Sequence, residues 1–183
     1  MRIIGAEALL RWRHPTHGLL LPEHFIPLAE ETGLIDPLGE WVLRQACIEA
    51  ASWSGDTMVS VNLSPLQLRN DELAEVVQAA LEQSGLAANR LELEVTETAL
   101  LQESQRTLAV LSELKALGVR LAMDDFGTGY SSLSNLRNYP FDTIKIDGSF
   151  VSGMEHSIED HSNRQGAHRT RAWLAHARHG RRR

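Results

Sequence analysis

The sequence predicts an α/β fold built around a parallel β-sheet. Short apolar runs that are typical of strands alternate along the chain with longer segments whose apolar residues recur at helical spacing. Strands and helices in regular alternation indicate parallel strands joined by helical crossovers. In addition, several strand runs end in an acid, an amide or a lysine. Functional groups at the carboxyl ends of strands are typical of a TIM-type (β/α) barrel.

Polar side chains mark each of the predicted strands. Buried charges are costly unless they are paired or bound to metal, so this pattern is a poor one for packing alone. One acid, Glu92, is expected to face solvent. Because such a barrel has eight strands, we expect an incomplete TIM-type barrel with about five of them. The predicted strands are Gly5–Trp12, Met58–Ser64, Leu91–Glu97, Val119–Met123 and Thr143–Asp147.

Helices are predicted between these strands from their start and stop signals. A proline near the start and a glycine just past the end are the usual signals, and Asp36-Pro37 is read as a cap followed by the first helical residue. The predicted helices are Pro22–Thr32, Asp36–Trp53, a short one from Ser64, one capped by Asn70 or Asp71 that ends at Ser84, Glu103–Leu117, and a turn at Ser131–Leu136.

The most informative motif follows the fourth predicted strand. Asp124 and Asp125 are adjacent and lead into a glycine-rich turn at Gly127 and Gly129. Paired carboxylates at a strand end suit two hard cations bridged by an oxygen, an arrangement that hydrolyses phosphodiesters. An isolated Asp-Asp pair would instead be read as a solvated turn. The acids, amide and lysine on the other strands favour the metal interpretation.

Other candidate residues have ordinary interpretations when each is taken alone. Arg11 would be a surface cation, Asn62 a turn or cap residue, and Lys145 an edge lysine with a solvated amine. Their joint occurrence on successive strands carries the argument.

Taken together, the motifs resemble those of the EAL-domain family of cyclic di-GMP phosphodiesterases. They occur in family order, and the resemblance runs from about residue 3 to residue 160. The matching segments are Glu7–Trp12, Val61–Ser64, Glu94–Glu97, Asp124–Leu133 and Lys145–Asp147.

The resemblance implies a chemistry and a role for each matching residue. The family uses two Mg²⁺ or Mn²⁺ ions to cut one phosphodiester of cyclic di-GMP, which gives linear pGpG. A homodimer formed through the region after Asp125 is also expected from the resemblance. The implied metal ligands are Glu7, Asn62, Glu94, Asp124 and Asp125. The implied catalytic residues are Lys145, Asp125 and Glu97, with Lys145 beside the attacking water and Glu97 steadying the loop after Asp125. Arg11 and Asp147 match substrate-contacting positions.

Composition limits the other function classes. The chain has 183 residues and 43% hydrophobic residues, enough for one domain with a core. No apolar run is long enough to span a membrane, and Met1-Arg2 leads directly into the first strand without a secretory signal. A single cysteine, Cys47, excludes an internal disulfide. A cytoplasmic protein is expected, with neither DNA nor RNA as a partner.

Charge divides the chain at about residue 160. Residues 1–160 hold 11 basic and 24 acidic side chains, a net charge of −13, whereas residues 161–183 hold seven Arg and no acid. The family resemblance stops at the same place. A one-base shift of reading frame is compatible with a family-type amphipathic helix over residues 163–171. We therefore expect a partial EAL domain over 1–160 and a basic, disordered non-family tail over 161–183, produced by a frameshift in a longer gene.

Three functional hypotheses follow. The first is a metal-dependent cyclic di-GMP phosphodiesterase by ancestry, with turnover by this chain impaired because a family A-E-G-V-E segment is not found in it. The second is a degenerate module that binds cyclic di-GMP without cutting it. The third is a non-functional fragment.

Overall fold

The computed structural model describes residues 3–100, 105–127 and 139–148. The glycine turn beyond Gly127, the predicted helical turn at Ser131–Leu136, most of the proposed dimer region after Asp125, and the basic tail lie outside these residues. The strands are β1 (Gly5–Ala8), β2 (Trp12–His14), β3 (Gly18–Leu20), β4 (Met58–Asn62), β5 (Leu91–Thr96), β6 (Arg120–Phe126) and β7 (Thr143–Ile146). The helices are α1 (Ile26–Glu31), α2 (Ile35–Ala51), α3 (Leu73–Ser84), α4 (Glu97–Leu100) and α5 (Gln105–Ala116).

Five strands form one parallel sheet in the order β1-β4-β5-β6-β7. Helix α2 connects β1 to β4, α3 connects β4 to β5, and α5 connects β5 to β6. Each connection is a helical crossover, as parallel pairing requires. All carboxyl ends of the five strands therefore lie at one edge of the sheet.

The sheet has one apolar and one polar face, because successive side chains of a strand point to opposite sides. On the apolar face, fully buried residues of the central strands such as Val61, Leu93 and Leu121 join the core cluster with helix residues. The helix contribution comes mainly from Leu43, Val77, Leu81, Leu111 and Leu114. The alternate strand positions carry the polar side chains.

The first predicted strand is shorter than expected, and a hairpin follows it. The chain leaves the sheet after Ala8, and β2 pairs antiparallel with β3 in a separate two-stranded sheet. The ring nitrogen Nδ1 of His14 accepts the backbone N–H groups of Thr16 and His17, each at 3.2 Å, and Gly18 follows with φ 73°. The hairpin was not predicted, because its strands are three residues long.

Helix boundaries also differ from the prediction at some ends. Helix α2 begins at Ile35, so Asp36 lies inside its first turn and does not cap it. An acid there still complements the helix dipole. The predicted helix after Ser64 is a single 3₁₀ turn, Gln67–Arg69, and the stop at Gly85 is confirmed by its left-handed backbone, φ 70°.

Cys47 is a buried residue of helix α2. Burial raises the pKa of the Cys47 thiol to about 11, so this buried side chain is a core residue and not a nucleophile at neutral pH. Among the residues described, no helix is both long and apolar enough to cross a bilayer.

Candidate metal and phosphodiester site

The polar face of the sheet carries the candidate site near the carboxyl ends of the strands. Register explains this placement: Glu7 pairs with Ser60, Asn62 with Glu94, and Glu94 with Ala122. Thr143 also pairs with Ala122, so Lys145 lies two residues further along the same face. The candidate side chains of β1, β4, β5 and β7 thus share one face.

The β1 and β4 side chains meet directly. The Asn62 amide nitrogen donates to the Glu7 carboxylate oxygen Oε1 at 2.8 Å. Both side chains are exposed. Because its nitrogen is turned to Glu7, the Asn62 amide can offer its oxygen as a ligand atom for a metal ion on this face.

The β5 and β7 side chains meet across the intervening strand. Lys145 Nζ donates to Glu94 Oε1 across β6, the strand that pairs with both β5 and β7. Glu94 is 1% exposed. Burial raises the pKa of the Glu94 carboxyl above its usual range, although Lys145 opposes the shift by hydrogen bond and charge.

One atom of Glu94 fits a bound cation. Its second oxygen, Oε2, is buried and lacks a hydrogen-bond partner within the described residues. Burying a carboxylate oxygen without a hydrogen-bond partner costs folding free energy, and a nearby positive charge would offset this cost. Carboxylate and amide oxygens are the donors that Mg²⁺ and Mn²⁺ prefer, so the donor set fits these ions. Counting only His, Cys, Asp and Glu of the described segments, no three side chains are grouped closely enough to hold a metal.

The paired acids lie at an irregularity of β6. Register shifts between Met123 and Phe126, and Asp125 has a positive φ of 55°, which is uncommon outside glycine. The Asp125 backbone N–H donates to Asp124 Oδ1 at 2.9 Å. A bulge of this kind breaks the strict alternation of side chains and can re-aim an acid at a strand end. The predicted strand end at Met123 was therefore too early.

Glu97 is placed as the first residue of α4 and is 1% exposed. Its Oε2 accepts the backbone N–H of Gly127 at 2.9 Å. The carboxylate thus ties the end of β5 to the turn that follows Asp125.

Arg11 and Asp147 lie at two different places on the chain. Arg11 is exposed between β1 and β2, and its Nη1 donates to the Leu10 carbonyl oxygen at 2.7 Å. This contact is local and does not join Arg11 to the carboxylates. Asp147 directly follows β7, and its backbone N–H donates to the Phe126 oxygen at 3.2 Å.

The expectation that Glu92 faces solvent is wrong. Glu92 is 6% exposed. It lies on the same face as Glu94, two residues nearer the amino end of β5, and forms a polar layer there. Ser60 Oγ donates to its Oε1 at 3.1 Å, Thr143 Oγ1 donates to its Oε2 at 3.2 Å, and Arg120 Nε lies 3.5 Å from Oε2. The spacing of two between Glu92 and Glu94 was the available signal, because it puts both acids on one face of the strand.

Curated relatives cover most of this chain. The bifunctional diguanylate cyclase/cyclic di-GMP phosphodiesterase MucR of Pseudomonas aeruginosa is 45% identical over 162 residues, which are 86% of this chain and 24% of MucR. The cyclic di-GMP phosphodiesterase NbdA of the same organism is 51% identical over 158 residues, 84% of this chain and 20% of NbdA. An uncharacterized signaling protein of Caulobacter vibrioides is 57% identical over 152 residues. The chain thus spans about a fifth to a quarter of these relatives' length.

Solved structures match the fold. The MucR phosphodiesterase in complex with c-di-GMP has a TM-score of 0.79 at 45% identity, and the match covers 86% of this chain and 65% of that one. The EAL enzyme Bd1971, bound to cAMP and cyclic di-GMP, has a TM-score of 0.75 at 30% identity and covers 84% and 44%. These matches confirm that the five parallel strands are part of a TIM-type barrel, as predicted.

The family assignment rests on nearly the whole chain. Residues 1–176 match the family described as EAL domain, a range that includes residues 161–176 beyond the boundary expected from the sequence. The chain belongs to the EAL domain family.

Proposed function

We propose that this domain binds cyclic di-GMP and hydrolyses one of its phosphodiester bonds to give linear pGpG, using Mg²⁺ or Mn²⁺. The observation that carries the proposal is the buried Glu94 Oε2, which has no hydrogen-bond partner within the described residues and lies on a face shared with Glu7, Asn62 and Lys145. Family membership and two relatives named as cyclic di-GMP phosphodiesterases support the same substrate.

The proposed ligands are Glu7, Asn62, Glu94 and Asp124 for one cation, with Asp124 and Asp125 facing a second. A divalent cation bound there would neutralise phosphate charge and lower the pKa of a water molecule. Glu97 would act on the site through the Gly127 backbone, as a positioning residue.

The proposed reaction is an in-line displacement. The water oxygen joins phosphorus, one phosphorus–oxygen ester bond breaks, and a water proton ends on the leaving sugar oxygen. Lys145, whose amine donates to Glu94 across β6, would orient the water by a hydrogen bond. Arg11 and Asp147 would contact the nucleotide.

The metal assignment predicts that Asp124→Asn abolishes divalent binding, because the substitution removes the charge of a shared ligand. Calorimetry with Mn²⁺ on the wild type and the variant measures this directly, and circular dichroism checks the fold. The matched control is Asp71→Asn, which removes an exposed acid that pairs with Arg106 of α5 and is not a proposed ligand. Equal Mn²⁺ affinity in wild type and Asp124→Asn would refute the ligand assignment.

A binding module is the second candidate, and the Arg11 geometry favours testing it. Arg11 donates to its neighbour Leu10 and not to the proposed metal ligands, so nucleotide binding and metal binding can be tested with different variants. If the domain only binds the nucleotide, Asp124→Asn would keep its affinity for cyclic di-GMP, and the wild-type protein would release no pGpG. A phosphodiesterase would release pGpG in a metal-dependent way.

A further inference from the structure

A partly buried polar cluster supports the loop that follows Asn62. It consists of Glu30 on α1, Ser64 and Gln67 in the loop, and Gly39 on α2, and we name it the loop clamp. Ser64 Oγ donates to Glu30 Oε1 at 2.6 Å and accepts the Leu66 backbone N–H at 3.2 Å. Gln67 Oε1 accepts the Ser64 backbone N–H at 3.0 Å.

Helix α2 is shaped to receive this cluster. Gln67 is a polar residue with only 4% of its surface exposed. A Cβ atom added at Gly39 would lie 1.9 Å from Gln67 Nε2 and 2.8 Å from its Cδ. Glycine at position 39 therefore makes the space that the buried amide fills, and α1 and α2 both hold the loop.

The clamp lies next to Asn62, one of the proposed ligands. Asn62 ends β4 and is exposed, and among the described residues its side chain is hydrogen-bonded to Glu7 alone. Beyond it, the Leu63 backbone N–H donates to the Glu94 carbonyl oxygen at 2.9 Å, and Ser64 then enters the clamp. The backbone of Asn62 is thus held by the sheet on one side and by the clamp on the other.

We propose that the loop clamp positions the Asn62 amide for divalent-cation binding, with Ser64 and Glu30 as its positioning residues. This inference rests on the proposed function of the site. Residues that orient a ligand from behind commonly change metal affinity about 10- to 100-fold when they are removed. A clamp that only stabilised the loop would affect the unfolding temperature without moving Asn62.

The test compares Ser64→Ala with Ser84→Ala. Ser84 is a matched control, because its Oγ also accepts a backbone N–H two residues on, that of Leu86 at 3.2 Å. It lies at the end of α3, which leads to the amino end of β5 and away from the site. Ser64→Thr keeps the hydroxyl and serves as the rescue variant, and Glu30→Ala removes the partner from α1.

Two readouts separate the inference from the proposed function. In the metal-free protein, we expect the Asn62 side-chain amide resonance to shift in Ser64→Ala and Glu30→Ala and to stay in place in Ser84→Ala and Ser64→Thr. With Mn²⁺ in calorimetry, we expect affinity to fall about tenfold in the first pair only. An unshifted Asn62 resonance in both clamp variants, or equal shifts in Ser84→Ala, would overturn the positioning role. Shifted resonances together with no Mn²⁺ binding by the wild type would overturn the metal site instead.

If Ser64→Ala does not fold, Glu30→Ala carries the comparison alone. Glu30 is only half-buried, on the short helix α1. Glu30→Gln then keeps an acceptor oxygen for Ser64 and takes the part of the rescue variant. Loss of Mn²⁺ affinity in Glu30→Ala without recovery in Glu30→Gln would contradict the clamp.

Discussion

Glu94 is a charged residue at a position where a stable core would favour an apolar one. Its neighbours along β5, Leu93 and Val95, are fully buried, and Glu94 itself is 1% exposed. Only one of its two oxygens has a partner within the described chain, the amine of Lys145. A buried carboxylate held in this way costs folding free energy, which is the pattern expected where a fold gives up stability for a functional site.

The Glu94–Lys145 pair predicts a pH-dependent loss of stability in Lys145→Met. Without the amine, the pKa of Glu94 rises further, so its ionisation costs more folding free energy as the pH increases through that raised pKa. Below the unfolded pKa of about 4.3 the carboxyl is protonated in both states and the cost disappears. At about pH 8 we expect Lys145→Met to lower the free energy of unfolding by about 2 to 4 kcal/mol. This is less than for a fully buried ion pair, because the Lys145 side chain is one third exposed. At about pH 4.5 we expect a smaller loss.

Urea unfolding at the two pH values measures this loss. The double variant Glu94→Gln/Lys145→Met should recover most of the stability, because it removes the unpaired charge. Arg106→Met, which breaks an exposed ion pair with Asp71, is the control for loss of a cation. A Lys145→Met penalty that does not vary with pH would show that the amine and the carboxylate are not coupled.

At the scale of elements, strand β7 pairs with β6 and is also fixed at its start by the Asp142 side chain. This residue precedes β7, and its carboxylate accepts Lys115 Nζ at 2.7 and 2.8 Å and the Leu121 backbone N–H at 2.9 Å. Burial acts to raise the pKa of Asp142, but the Lys115 and Leu121 hydrogen bonds outweigh it and the pKa is lowered. One side chain thus joins α5, β6 and the start of the strand that carries Lys145.

Asp142→Asn is therefore expected to loosen β7. We expect a loss of about 1 kcal/mol at neutral pH, since Asp142 and Lys115 are partly exposed and their pairing is screened by solvent. The contribution is present above the ordinary aspartate pKa near 4 and is lost as the pH falls through the lowered pKa. Hydrogen exchange of the Ile144 to Ile146 amides measures it, with Asp71→Asn as the exposed control. Unchanged exchange in β7 would argue that the strand is held by other contacts.

The elements also show what could be predicted from sequence. Alternation and helix stop signals predicted the five parallel strands and the ends at Gly85 and Gly118, because these depend on local backbone preferences. The β2–β3 hairpin was missed, because three-residue strands carry too little pattern. The same alternation predicted that Glu7, Asn62, Glu94 and Lys145 lie on strands of the sheet. The Glu92 layer and the loop clamp could not be predicted, because they depend on contacts between distant segments.

At the scale of the whole molecule, the candidate site extends across the full width of the sheet. Glu7 is on β1 and Lys145 is on β7, and these are the two edge strands of the described sheet. Neighbouring strands lie about 4.8 Å apart, so a flat sheet would separate these edges by about 19 Å. Curvature of the sheet therefore decides whether both ends of the site can face one phosphodiester.

Within the described residues, no strand pairs with the outer edge of β1 or β7. A barrel fixes curvature by closing on itself, and an open sheet leaves it to side-chain packing. Two-metal catalysis requires its groups to be held within about half an ångström. Because residues 161–183 are predicted from sequence to be a non-family tail, we expect this chain to release pGpG from cyclic di-GMP with Mn²⁺ much more slowly than a chimera whose residues after 160 come from the corresponding segment of MucR. Affinity for cyclic di-GMP should differ less than the rate, because the nucleotide contacts proposed for Arg11 and Asp147 would tolerate looser geometry than the displacement does. Single-turnover pGpG release and nucleotide affinity, measured on both chains, separate the two effects. Equal single-turnover rates would mean that the curvature needed for chemistry is already set by the five strands and their helices, and that closure contributes nothing to the site.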